Sequence, residues 1–204
     1  MIAVGREPNV GSLNLEAAGV DYSAKDGIYA DKYLATSNQH IYSIGDCLAS
    51  ATSKAEAEIL PGSGPQFTHN SDVHARTVVK NALLFGQIDR TMTLLPQTTY
   101  TDPEISRVGF SSRELKAKGI EFDTFTKFYE RLDRAHCEGK SGMMKILTEK
   151  GSDKILGAVV VGGPAGELIM TLTSGMHNGL GLGQIGACVY PYPSWAEGIK
   201  HLSD

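Results

Sequence analysis

Apolar and polar residues alternate most clearly in the second half of the chain. Phe122 to Tyr129 alternates aromatic and polar side chains, which predicts a half-buried strand. The run GMMKILTEKGSDKILGAVVVG predicts a hairpin: a strand over 143–149, a Lys-Gly-Ser-Asp-Lys turn, and a second strand over 155–162. Gly163-Pro164 breaks this pattern, and Ala165 to Asn178 continues as a helix with Pro164 near its start. A shorter helix is expected over about 182–188 and a last one from Ser194. Upstream, TTYTDPEISRVGFS predicts two strand pieces around Asp102-Pro103. Ser111-x-x-Glu114 is a capping box for a helix that Gly119 ends. Strands that precede and follow short helices in this way predict an α+β domain, an antiparallel sheet with helices on one face.

The first half is more broken. Met1 to Val4 starts inside an apolar run, as a strand would. Leu13 to Ala18 fits one helical turn closed by Gly19. A short strand is expected at Gly27 to Ala30, a crossover around Thr36, and a second strand at Ile41 to Ile44. Residues 48–65 are rich in Ala, Ser, Gly and Pro and read as a loop with a short helix at 54–60. A long helix follows, capped by Thr68 and ended by Gly86, with Val73, Arg76, Val79, Lys80 and Leu83 at helical spacings.

Composition excludes several classes. The chain has 204 residues, 41% hydrophobic and 21% charged, with a net charge of −4. That balance argues against nucleic acid or an anionic membrane as partner. No apolar run approaches the ~20 residues that span a bilayer. The opening MIAVGREPN does not read as a signal peptide. Cys47, Cys137 and Cys188 are scattered and lack metal-ligand spacing, which fits a reducing compartment, the cytoplasm, with each thiol buried and unreactive. His69 and His74 stand at i, i+5 on one helix, a poor spacing for a metal, so solvated or partly buried roles are expected. His136 and Cys137 are placed in a loop, His177 and Asn178 at a helix end, and Trp195 in packing or an interface.

The candidate chemistry starts at Gly45-Asp46. Glycine lets a backbone approach a ligand closely, and an acid at a strand's carboxyl end sits where α/β folds hold ligands. Asp46 can accept a hydrogen bond from a sugar-type hydroxyl, or serve as a turn residue. The stretch IYADKYLATSNQHIYSIGDC, residues 28–47, resembles the signature T-x-x-x-x-I-Y-A-I-G-D of the pyridine nucleotide-disulfide oxidoreductases. Ala3 to Asn9 resembles that family's A-x-G-R-x-P-N segment. The resemblance implies FAD as cofactor and NAD(P)H as co-substrate, with Asp46 on the ribityl chain and Gly45 beside it. It further implies that the helix starting at Phe67, Thr68 and His69 begins beneath the flavin ring.

The same resemblance divides the chain into a remnant of an α/β FAD-binding domain over 1–95 and a dimerisation domain over 96–204. The latter is carried by TDPEISRVG and ILGAVVVGGPAGELI and implies a homodimer. The family's H-x-H-P-T-x-x-E corresponds to Tyr190 through Glu197, so Tyr192 stands at the acid/base histidine and Glu197 at the acid that holds it. A phenol with an ordinary pKa of roughly 10 is a poor base near neutrality. Tyr192 can still donate a hydrogen bond to an anionic ligand or a thiolate-bound metal. Tyrosine there, and EGIK after it, resemble the mercuric reductase branch. That branch's carboxyl-terminal cysteine pair does not stand in Leu202-Ser203-Asp204. Ser194-x-x-Glu197 also reads as a capping box, which accounts for both residues structurally. No G-x-G-x-x-G precedes Gly45 and no C-x-x-x-x-C occurs, so the isolated chain is expected not to catalyse hydride transfer. Two other readings stay open: a non-enzymatic homodimeric module, and a small thiol- or metal-binding protein using the three cysteines.

Overall fold

The computed structural model describes residues 1–57, 65–84 and 86–203. The chain forms two compact units, Met1–Thr93 and Leu94–Asp204.

In the first unit, residues 15–20 close as turns, with the Ala18 and Gly19 amides bonded to the Leu15 and Glu16 carbonyls. Strand β1 (Tyr22–Ser23) pairs antiparallel with β2 (Gly27–Ile28). Val10, Leu15, Val20 and Ile28 form a small core there. The strand expected over 41–44 does not form. Among the described residues, Tyr42 makes one isolated bridge to Ala35, and Leu48 makes one to Ile28. Met1 to Val4 is likewise exposed and forms no strand. Strands need partners along their whole length, and no described segment supplies them here. Helix α1 (Lys54–Ala57) covers the start of the short helix expected at 54–60, and 58–60 lie outside the described residues.

Helix α2 (Thr68–Leu83) is as long as its pattern predicts, but it buries a different stripe. Asn70, His74 and Thr77 face inward, whereas Val79 and Leu83 are 52% and 70% exposed. The reason is what the helix faces: a backbone turn at Gly45–Cys47, which is better matched by polar side chains than by a wall of valines. Thr68 does not cap it. Phe67 is the capping position, extended and without a side-chain acceptor, and its carbonyl takes the Asn70 and Ser71 amides.

The second unit is built on a five-stranded antiparallel sheet in the order β3-β4-β7-β6-β5. Its elements in chain order are β3 (Gln97–Thr99), β4 (Ile105–Gly109), α3 (Ser112–Ala117), β5 (Phe122–Phe128), α4 (Asp133–Glu138), β6 (Met143–Glu149), β7 (Ile155–Val161), α5 (Ala165–His177), α6 (Leu182–Gly186) and α7 (Glu197–Ser203). The predicted hairpin is present, with Met143 opposite Val161 and Ile146 opposite Ala158. Period-2 geometry sends Val108, Met144, Ile146, Ala158 and Val160 into one core with Leu168, Ile169 and Leu172 of α5 and Ile199 and Leu202 of α7. Each of these valine, leucine, isoleucine and methionine side chains contributes roughly 1.5–3 kcal/mol of burial. The capping box at Ser111 and Glu114 forms with both arms.

Three local expectations change. β5 is an edge strand, so Phe125 and Phe128 stay largely exposed. The phenylalanines also do not share a face, since Phe125 has the opposite parity to Phe122 and Phe128. His136 and Cys137 lie on α4, not in a loop; an acid in the first turn and left-handed Gly139 at the end favour the helix. α7 becomes regular only from Glu197, because Gly198 and Ile199 bond the Trp195 and Ala196 carbonyls three residues back, the tighter 3-10 pattern.

Candidate functional site

Two groups of candidate residues occur, one in each unit. In the first, the chain leaves extended Ile44 and turns through Gly45–Cys47. Gly45 has φ +69, and a Cβ there would lie 2.5 Å from the Ser71 hydroxyl on α2. Both facts select glycine. The Gly45 N–H donates to His74 Nδ1 at 3.3 Å, an interaction that does not follow from the His69/His74 spacing. His74 is 5% exposed, and burial, aided by the positive charge of Arg90, pushes its pKa below the ordinary histidine value. The imidazole is therefore neutral, with its proton on Nε2. Arg90 donates to the Asp31 and Ala30 carbonyls at 3.3 and 3.4 Å, and its own amide bonds Lys32.

Next in the turn, Asp46 is paired with Arg6 at 2.5 Å. The other guanidinium nitrogen of Arg6 donates to the Gln66 carbonyl at 3.2 Å, just before Phe67. Arg6 thus ties Asp46 to the amino end of α2. Phe67 and His69 stack there with ring centroids 5.2 Å apart, and Thr68 and His69 are exposed. Gly45, Asp46 and the start of α2 are brought together, and Arg6 joins them. The A-x-G-R-x-P-N segment contained the signal for Arg6.

In the second unit, Tyr192 is 72% exposed and its hydroxyl donates to Asp133 Oδ2 on α4 at 2.6 Å. That bond to a carboxylate raises the phenol's pKa, so Tyr192 is protonated and no base. Glu197 Oε2 accepts the Ser194 N–H at 3.0 Å. The capping box is only half made, because the buried Ser194 hydroxyl has no partner among the described residues. Tyr190 donates to the Ile185 carbonyl at 3.1 Å, and burial raises its pKa. Trp195 packs against Tyr129, ring centroids 5.1 Å apart, and belongs to the core.

The thiols depart from expectation. All three are free, but Cys137 and Cys188 are exposed and only Cys47 is partly covered. A small helix and a helix-end loop on the surface leave no apolar wall to cover them. Among the described residues no cluster of three or more His, Cys, Asp or Glu side chains could hold a metal, and no helix is long and apolar enough to cross a membrane.

Both units have relatives among known proteins. Residues 95–203 match the pyridine nucleotide-disulphide oxidoreductase dimerisation domain, and residues 1–75 match the pyridine nucleotide-disulphide oxidoreductase family. The chain is 31% identical to the mercuric reductase of Acidithiobacillus ferrooxidans over 98% of its own length and 34% of that protein's. It is 34% identical to that of Bacillus cereus over 98% of its length and 30% of the relative's. It therefore spans about a third of the curated relatives it matches. Among solved structures, the HOCl-induced flavoprotein disulfide reductase RclA of Escherichia coli superposes with a TM-score of 0.84 at 25% identity, covering 99% of this chain and 44% of that one. The dimerisation-domain match alone covers more than half of the residues, and the chain belongs to the pyridine nucleotide-disulphide oxidoreductase family.

Proposed function

We propose that this chain supplies the flavin-side turn and the dimerisation half of an FAD-dependent, NAD(P)H-linked oxidoreductase of disulfides or mercuric ion. The observation that carries the reading is Gly45. Its left-handed turn packs on α2 where a side chain would collide with Ser71, and it presents the partly exposed carboxylate of Asp46 beside the amino end of α2. That donor set fits the ribityl and ring end of a flavin. With the flavin bound, Asp46 would accept from a ribityl hydroxyl, and the start of α2, at Phe67, Thr68 and His69, would favour negative charge on the ring. FAD, when bound, supplies the electron transfer, and these residues orient it. Tyr192 is protonated with its single O–H spent on Asp133, so toward the redox site of a partner subunit it offers an acceptor oxygen, or donates only by releasing Asp133, and Glu197 holds the start of α7.

The exposed apolar side chains of Val189, Phe128 and Tyr192 support association with a second copy. The free thiols support a reducing compartment, the cytoplasm. The chain by itself does not turn over NAD(P)H, because the residues that grip the cofactor's phosphates and pass electrons to substrate are not in this sequence.

Sedimentation velocity tests the assembly and NADPH oxidation tests the activity. A dimer without disulfide- or mercuric-dependent oxidation is expected. A monomer at micromolar concentration, or stoichiometric flavin with turnover, overturns the reading.

A further inference from the structure

Gly45 has a partner that the family signature does not mention. Its amide points at His74 Nδ1 from within the protein, 29 residues away in sequence. An amide can only donate, so the bond exists only while Nδ1 carries a lone pair. A doubly protonated imidazole would set donor against donor at 3.3 Å. Ser71 fills the space beside Gly45 on the α2 side, so relief of that clash favours movement of the turn away from the helix, and Asp46, the next residue, moves with it.

We infer that His74 is the positioning residue of the Gly45–Asp46 turn, and that its neutral imidazole makes ligand contact by Asp46 dependent on pH. The ligand half of this statement rests on the function proposed above; the coupling of His74 to Gly45 does not.

The surroundings agree. The charged group that bears on His74 is Arg90, from the segment after α2, and it disfavours a second cation. Asp46, next along the turn, is already engaged by Arg6, and Asp72 and Arg76 on α2 pair with each other at 2.9 Å. Arg90 is itself under the charges of Glu56, Asp31 and Asp89, and the pKa of His74 is still shifted downward, with burial as the main cause. The sign follows from the lowered pKa. Stability from the neutral imidazole is fully present above the unfolded value of about 6.5, and it is lost as pH falls from there to the folded value.

The test follows the Gly45 amide by NMR in the full chain as pH is lowered from about 8, alongside the His74 ring carbons. The Gly45 shift is expected to move with the His74 ring, and its hydrogen exchange, corrected for intrinsic rate, to rise roughly five- to tenfold, as one lost hydrogen bond would give. His74→Phe should show the fast exchange at every pH. His74→Asn, which places a non-titrating acceptor near Nδ1, should keep Gly45 protected and abolish the pH dependence; it also guards against a misfolded Phe variant. A Gly45 amide that ignores His74 protonation, or an Asn variant that titrates like the parent, overturns the inference. Riboflavin added at each pH separates the two claims. Amide shifts at Asp46 that vanish on acidification support both. No response to riboflavin at any pH, with Gly45 still following His74, removes the flavin reading and leaves the positioning role standing.

Discussion

Replacing Ser194 and Glu197 separately distinguishes a complete capping box from the half box that the structure contains. In a complete box each residue contributes, and each alanine substitution costs about 1 kcal/mol. Here Glu197 accepts the Ser194 amide at 3.0 Å, while the Ser194 hydroxyl is buried without a partner among the described residues. Glu197→Ala removes the one bond that forms and leaves an amide unsatisfied, for an expected loss of about 1 kcal/mol. Ser194→Ala removes an oxygen that was desolvated for nothing, so its expected effect lies between neutral and about 1 kcal/mol stabilising. Glu197→Gln keeps an acceptor and should stay near the parent. The assay is urea unfolding followed through Trp195, the single tryptophan, which is packed on Tyr129 in the second unit. With a slope of about 2 kcal/mol/M, a 1 kcal/mol loss moves the midpoint down by roughly 0.5 M at unchanged slope. Ser194→Ala lowering the midpoint as much as Glu197→Ala would refute the reasoning and restore the full box.

Gly45→Ala must hold an alanine at φ +69 against Ser71, which costs roughly 1–2 kcal/mol before any collision; thermal unfolding of the first unit should show a loss of at least that size. Asp133→Asn should bring the Tyr192 phenol down toward its ordinary value in an ultraviolet pH titration, because the carboxylate is the main cause of its raised pKa; an unmoved titration would deny the pair. The sign is that of a raised group: whatever the bond stabilises is present below the ordinary tyrosine range and lost as pH climbs through the folded value. Tyr192→Phe should leave unfolding nearly unaltered, since the side chain is mostly exposed, and a large loss would give Tyr192 a packing role instead.

The local parts of this fold are legible in the chain. The 143–161 hairpin and the Ser111–Glu114 box depend on residues close in sequence, where side-chain period and capping chemistry suffice. α4 was equally local, with an acid at its start and Gly139 at its end, but the His136-Cys137 pair distracts from those signals. What needs distant partners is harder. The segment 41–44 has strand composition without strand neighbours. α2 shows Val79 and Leu83 at helical spacing, yet its buried stripe is chosen by the Gly45 turn 29 residues before His74. Gly45 and Asp46 stand out through a short motif. Their supports, His74 and Arg6, are fixed by tertiary contact, and so is the exposure of Cys137 and Cys188.

The place of β7 in the sheet sets an order of events for making the second unit. β7 is the last strand in sequence but lies at the centre, between β4 and β6. β6 can zip onto it through a five-residue turn, a cheap closure available as soon as Val161 has been made. β4 must bridge from Ile105 to Val161 and dock onto that hairpin afterwards. Until β7 emerges during synthesis, β4 has only β3 and β6 only β5 to pair with, and the two pairs have no common neighbour. A chain that lacks β7 therefore keeps at most two separate pairs, β3 with β4 and β5 with β6, and loses the strand that joins them into one sheet.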